Sequence, residues 1–302
     1  MHIVNSANSD TTSDKKRNTL PQKSDIEYLK HIVESISIPR HYVVEQENNN
    51  VVFQWIKNEF EALGLNVAVQ GKFNNIIASY GRIDNEFSII VGAHYDSVPN
   101  SPGADDNASA IAGLLALAKK LRATKNHNIG FIAFNREEDG LLGSAEYVNS
   151  LTVQQKNKIQ CAHILEMIGY ASNKPGTQFV PPKLPIKIGD KGDFIAIIAN
   201  KESNSLISNI IDTADRRTPS LPVKCLKVFL GIEKFFPHLL RSDHAPFWDS
   251  NIPSLMWTDT SEFRNPNYHR PSDTPETLDY VFMYKVVELL KFSILEQLNI
   301  KG

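Results

Sequence analysis

The chain has 302 residues, 41% of them apolar and 22% charged, and a formal net charge of −2. This is ordinary globular composition, long enough for one large α/β domain, and the near-neutral charge gives no reason to expect a nucleic acid or an anionic membrane as partner. No apolar run reaches the roughly 18 residues of a membrane span, and the polar start MHIVNSANSDTTSDKKRNT lacks the apolar stretch of a secretory signal.

A cytosolic protein is therefore expected, or a secreted or periplasmic one if the precursor is longer. The two cysteines, Cys161 and Cys225, make neither a disulfide framework nor a metal-type pair. They read as small buried residues and favour a reducing compartment, with a single bridge between them left open.

Residues 1–23 are polar and predict an unstructured tail ahead of a domain over 24–302. Residues 26–36 carry Ile26, Leu29, Ile32 and Val33 at helical spacing. A second amphipathic stretch over 48–63 is stopped by Gly64, which suits the position just past a helix end. Residues 67–69 and 75–80 predict strands. The short apolar run FSIIVGA (87–93) predicts a strand buried on both faces. A long helix follows over 108–122, with Asn107 as its N-cap. The segments 129–134, 162–168, 194–199 and 253–258 predict further strands. Helices are expected over 143–151, 203–214 and 280–298. Residues 169–191, rich in Pro, Gly and Lys, read as a long surface loop. Strands alternating with helices predict one α/β domain with a mixed, mostly parallel sheet covered on both sides.

Five metal-competent residues are spread along this pattern: His94, Asp106, Glu138, Glu166 and His269. His94 directly follows FSIIVGA, and the pair Glu137-Glu138 follows the strand IGFIAF. Glu166 lies in HILEMIG, and His269 sits in a loop after PSLMWTD. Four strand ends thus deliver ligands toward one sheet edge, where open α/β sheets bind. Asp106 comes from a loop before a helix. Alone, each has a bland reading: a histidine after a strand is more often structural, and a Glu-Glu pair is usually solvated. Glu166, flanked by Ile164, Leu165, Met167 and Ile168, is costly to bury unless it is paired or bound to metal. Two imidazoles and three carboxylates can hold two divalent cations if one carboxylate bridges.

The blocks HYDS (94–97), PGADDNAS (102–109), NREEDGLLGS (135–144), EMIGY (166–170), SDHAPF (242–247) and NYHRPSDTPETLD (267–279) resemble the signature of the zinc aminopeptidases of peptidase family M28. The resemblance runs over nearly the whole folded chain. It implies a three-layer αβα domain with about eight strands and two zinc ions per chain. It also implies that Asp106, not Asp105, bridges the metals across a cis bond to Asn107. His94 and Glu166 would complete one metal site, Glu138 and His269 the other. Glu137 is implied as general base and Asp96 as the carboxylate orienting His94.

The implied reaction is hydrolysis of an N-terminal peptide bond by a hydroxide held between the zinc ions. Glu137 takes the proton of the water and returns it to the leaving amine. The expected partners are peptides with a free N-terminus, acted on by a monomer. The chain departs from the pattern at Glu166, where the family usually has Asp and related carboxypeptidases have Glu. Ala110 stands where Gly is common. The alternatives are a glutaminyl-peptide cyclotransferase or a carboxypeptidase on the same fold, and, last, a non-catalytic peptide-binding scaffold. The substrate pocket is expected from the 169–191 loop and the segment 229–240, with Phe235, Phe236 and Leu239 as candidate walls. Neither a GxSxG elbow nor an HExxH motif occurs.

Overall fold

The computed structural model describes residues 1–7, 21–84, 86–124 and 128–299. In chain order its elements are β1 (His2–Asn5), α1 (Lys23–Ile36), α2 (Gln46–Ala62), β2 (Asn66–Gln70), β3 (Asn75–Ser79), β4 (Ile89–His94), α3 (Ala110–Leu121), β5 (Ile129–Phe134), α4 (Leu142–Ser150), α5 (Val153–Lys158), β6 (Cys161–Glu166), β7 (Ile195–Ala199), α6 (Ile207–Arg217), β8 (Val223–Lys227), α7 (Ala245–Asp249), β9 (Ser254–Thr258) and α8 (Tyr280–Gln297).

The strands form a single mixed sheet of nine in the order β1-β8-β7-β9-β6-β4-β5-β3-β2. The four central strands β9, β6, β4 and β5 are parallel. The flanks are not uniform. β3 and β2 turn antiparallel beyond β5, and β7 opposes β9 while running parallel to β8. The predominance of parallel pairing therefore holds for the centre, not for the sheet as a whole. Chain order reverses across β4: β4 leads to β5 on one side, and the chain then crosses to β6 on the other. Such a reversal opens a crevice at the carboxyl ends of the strands.

Alternate residues of each strand go to opposite layers. Ile89, Val91 and Ala93 of β4 join the large core under α1, α3, α6 and α8, and Ile90 joins a second core with Phe134, Tyr147 and Phe247. Full burial of each such aliphatic side chain contributes about 1.5–3 kcal/mol. Under the β7-β8-β9 half a third cluster, including Ile198, Leu226 and Met256, lies beneath irregular segments.

Two expectations are corrected, and one strand is added. The segment 1–23 is not wholly unstructured: His2–Asn5 is an edge strand paired antiparallel with β8, and α1 begins at Lys23. Residues 8–20 of that segment lie outside the described residues. β8 was not anticipated because its sequence, VKCLK, places lysines among its apolar residues. Asn107 does not cap α3. It lies in a wide turn, Ala104–Ser109, where its side chain donates to the Leu165 carbonyl (3.1 Å) and accepts from the Met167 amide (2.8 Å), tying the turn to the end of β6. Gly64 does end α2, at a φ of +85°. Cys161 and Cys225 are free and buried, in strands separated by two others. No described helix is long and apolar enough to cross a membrane.

Candidate metal centre

His94 is the last residue of β4 and Glu166 the last of β6. Gly92 pairs with Ile164, so two residues on these side chains leave their strands at the same level. Glu137 and Glu138 follow β5, the neighbour on the other side, and His269 comes from the loop between β9 and α8. The turn Ala104–Ser109 crosses this edge and delivers Asp106, whose bond to Asn107 is cis. The structure thus gathers all five sequence-predicted ligands, and Glu137, at one edge.

Asp106 faces both imidazoles. Its Oδ1 lies 3.4 Å from His94 Nε2, and its Oδ2 lies 3.1 Å from His269 Nε2. Each imidazole has a second carboxylate: Glu166 Oε2 at 3.4 Å from His94, and Glu138 Oε2 at 3.3 Å from His269. Two triads of donors share Asp106, namely His94-Asp106-Glu166 and Asp106-Glu138-His269, and a third group joins His94, Glu137 and Glu138. Glu137 stands outside the two that share Asp106, its Oε2 3.9 Å from His94 Nε2.

Asp96 is buried beneath this set. Its Oδ1 lies 3.4 Å from His94 Nδ1. The same carboxylate accepts the backbone amides of Glu137 (3.1 Å) and Glu138 (3.3 Å), fixing the turn that carries both acids. Above it, Arg40 is fully buried and donates to the carbonyls of Tyr95 (2.6 Å), Gly103 (2.9 Å) and Pro102, gripping the loop between His94 and Asp106.

The charge balance of the residues alone is unfavourable. Burial, followed by the nearby charge of Asp106, pushes Glu138 up to about 7. Burial, together with Glu138 and Glu166, holds Glu137 well above the usual carboxylate range. Burial by itself would lower both imidazoles, but the surrounding carboxylates win: His269 rises to about 10 and His94 well above its ordinary value. Both ring nitrogens of His94 and Oε1 of Glu138 are buried without a hydrogen-bond partner. Orphaned donors in a carboxylate-rich, buried cluster fit divalent cations, which satisfy lone pairs and offset negative charge together.

Sequence reasoning assigned no role to two neighbours of this set. Ser242, within the quoted block SDHAPF, donates to Glu166 Oε2 at 2.7 Å. Tyr268 stacks on His269, with ring centroids 3.7 Å apart. Adjacency to His269 was the available signal for Tyr268; Ser242 had none beyond its block.

A cleft of about 490 Å³ opens beside the cluster. Gln178, Phe179, Leu184 and Ile186 of the expected 169–191 loop do line it. The segment 229–240 contributes His238, Leu239 and Leu240 only. Phe235 points to solvent, 80% exposed, and Phe236 packs in the third core cluster, so neither is a wall. The floor instead comes from β7, β8 and β9.

The model of peptidase family M28 matches residues 75–292, and the chain belongs to that family. Its class is thereby set as a metallo-exopeptidase hydrolase. Among relatives, protein YfbL of Escherichia coli strain K12 is 34% identical over 262 residues, covering 80% of this chain and 78% of that protein. The chain spans only 40% and 44% of the next two aminopeptidase sequences it matches. Among solved structures, a zinc aminopeptidase from Bacillus subtilis is 27% identical with a TM-score of 0.56, over 74% of this chain and 50% of that one. A glutaminyl cyclase from Macrostomum lignano, 16% identical, shares the fold with a TM-score of 0.68 over 92% of this chain and 90% of that one.

Proposed function

We propose that this chain is a zinc-dependent aminopeptidase holding two metal ions, with Glu137 as general base and Asp96 as the orienting acid behind His94. The observation that carries the reading is the Asp106 carboxylate, which faces His94 with one oxygen and His269 with the other. Each histidine then has a carboxylate of its own, and Glu137, which shares no group with Asp106, stands beside them. His94, Asp106 and Glu166 would hold one ion, and Asp106, Glu138 and His269 the other. Divalent zinc there supplies Lewis acidity to polarise a peptide carbonyl and to acidify water. The zinc assignment draws support from the related zinc aminopeptidase of Bacillus subtilis.

The residues of the chain do the rest. Asp96 holds the Glu137 amide, so the Glu137 carboxylate is aimed from a fixed turn. From there it accepts a proton from the attacking water and donates it to the departing amine.

The test is release of the N-terminal residue from amino-acid anilides and short peptides. Chelation should abolish it and zinc should restore it. Glu137→Gln should lower kcat by about 10²–10⁴-fold with metal content unchanged. Activity surviving both chelation and the substitution would sink the mechanism. An N-acetylated peptide cut as fast as the free one would remove the aminopeptidase reading. Pyroglutamate formed from an N-terminal Gln peptide would replace that reading with the cyclase.

A further inference from the structure

Resting on that reading, we infer that the enzyme acts on short peptides of three or four residues and recognises their C-terminal carboxylate through Lys224. The argument starts from strand register. Glu166 pairs with Thr258, Thr258 with Ala196, and Ala196 with Lys224, so these four residues form one straight row across β6, β9, β7 and β8. All four border the cleft. Three strand spacings separate the ends of the row, about 14 Å. The near end is the carboxylate cluster and the far end is a cation.

Between these ends the lining is mixed, with Gln178, Thr258, Thr260 and Ser261 as polar members. Below the row, Met256, Ile198 and Leu226 form an apolar floor, and the opposing wall includes Leu184 and Ile186. Trp248 of α7 joins this apolar cluster, and Met256, Ile198 and Leu226 still border the cleft. An extended peptide advances about 3.3–3.6 Å per residue. A chain of three or four residues therefore reaches from an amine at the acid end to a carboxylate near Lys224. A single side chain does not cover that distance.

Lys224 is placed to receive an anion. Its ammonium donates to the Ile188 carbonyl and lies 4.7 Å from the Phe194 ring centroid, and the charge of Asp193 acts on it without a close ion pair among the described residues. Burial lowers its pKa, a cost that an incoming carboxylate offsets. Acid at one end and cation at the other match the two ends of a free peptide.

The experiment uses the zinc-loaded full chain and Leu-Ala-Ala-Ala as free acid and as C-terminal amide. The free acid should be cut with a KM about tenfold lower than the amide, the scale of one charge-assisted bond. In Lys224→Met the ratio should fall to about one, and Lys224→Arg should retain it. Equal KM values for acid and amide in the wild type would overturn the inference, as would a ratio that persists in Lys224→Met. If Lys224→Met does not fold, the wild-type pair together with Lys224→Arg still decides. Failure of the aminopeptidase reading itself looks different: no N-terminal residue is released from any peptide or anilide.

Discussion

The phenol ring of Tyr268 lies flat on the imidazole of His269, centroids 3.7 Å apart and planes 20° from parallel. The hydroxyl of Tyr268 accepts from Arg241 Nη2 at 2.7 Å, and Arg241 is itself paired with Glu262. His269 is the most exposed member of the cluster, with 35% of its side chain open, and it sits on the loop between β9 and α8 rather than at a strand end. The stack therefore replaces the scaffold that β4 and β6 give His94 and Glu166.

Removal of this stack is expected to loosen one metal more than the other. Tyr268→Ala should weaken metal retention by about 10–100-fold, the range seen when a residue behind a ligand is lost. One ion of the pair should leave first in a competition with a chelator. Tyr268→Phe keeps the ring and should stay close to wild type. Equal retention in the Ala variant and the wild type would show that the stack does not orient His269.

Arg40 should be worth more to stability than any surface charge. Its guanidinium is fully buried, and burial lowers its pKa only to about 10, so it stays charged at neutral pH. Replacement by Met leaves the carbonyls of Tyr95, Pro102 and Gly103 without their donor. Each buried unsatisfied group costs about 1–3 kcal/mol, so a loss of about 3 kcal/mol or more is expected. Arg40→Lys should recover little, because one ammonium cannot reach the same set of acceptors. Chemical denaturation of the chelated protein measures this; an unchanged midpoint in Arg40→Met would refute it.

Acid should destabilise the fold through two neutral buried histidines. Trp257 Nε1 donates to His163 Nδ1 at 3.1 Å, and Nε2 lies 3.0 Å from Gln297 Oε1, so the neutral ring with its proton on Nε2 satisfies both partners. A second ring proton would oppose the Trp257 N–H. Burial accordingly lowers His163 from 6.5 to about 4, and His244 likewise. Between these values the unfolded chain binds protons that the folded one does not. Stability then falls as pH drops from about 6.5 toward 4, by up to about 1.4 kcal/mol per pH unit for each histidine. His163→Gln should shrink the difference between denaturation midpoints at pH 7 and pH 5, measured in chelator. An identical difference in the variant would exclude His163 as a source.

Local pattern carried the elements whose neighbours lie close in sequence or whose burial is complete. IIVGA (89–93) and IGFIAF are apolar throughout because both faces of β4 and β5 are covered. The candidate ligands at their ends were legible because chemistry restricts such donors to His, Asp and Glu, and because several such residues recur just after buried strands. β1 and β8 were not legible. Each is short and partly polar; β1 is a strand only by pairing across more than 200 residues of chain, and β8 by pairing with β1 and β7. The same limit hid Asn107, whose side chain bonds the end of β6 instead of its own helix.

The amino-acid sequence by itself determined the candidate donors, the αβα class and the family, since these depend on residue identity and local periodicity. Tertiary structure decided which carboxylate faces which imidazole, which left Glu137 outside both triads. It also decided that Phe235 faces solvent while Ala196 and Lys224 border the cleft. Those outcomes follow from strand order and register, which fix distances between residues that nothing in their local sequence relates.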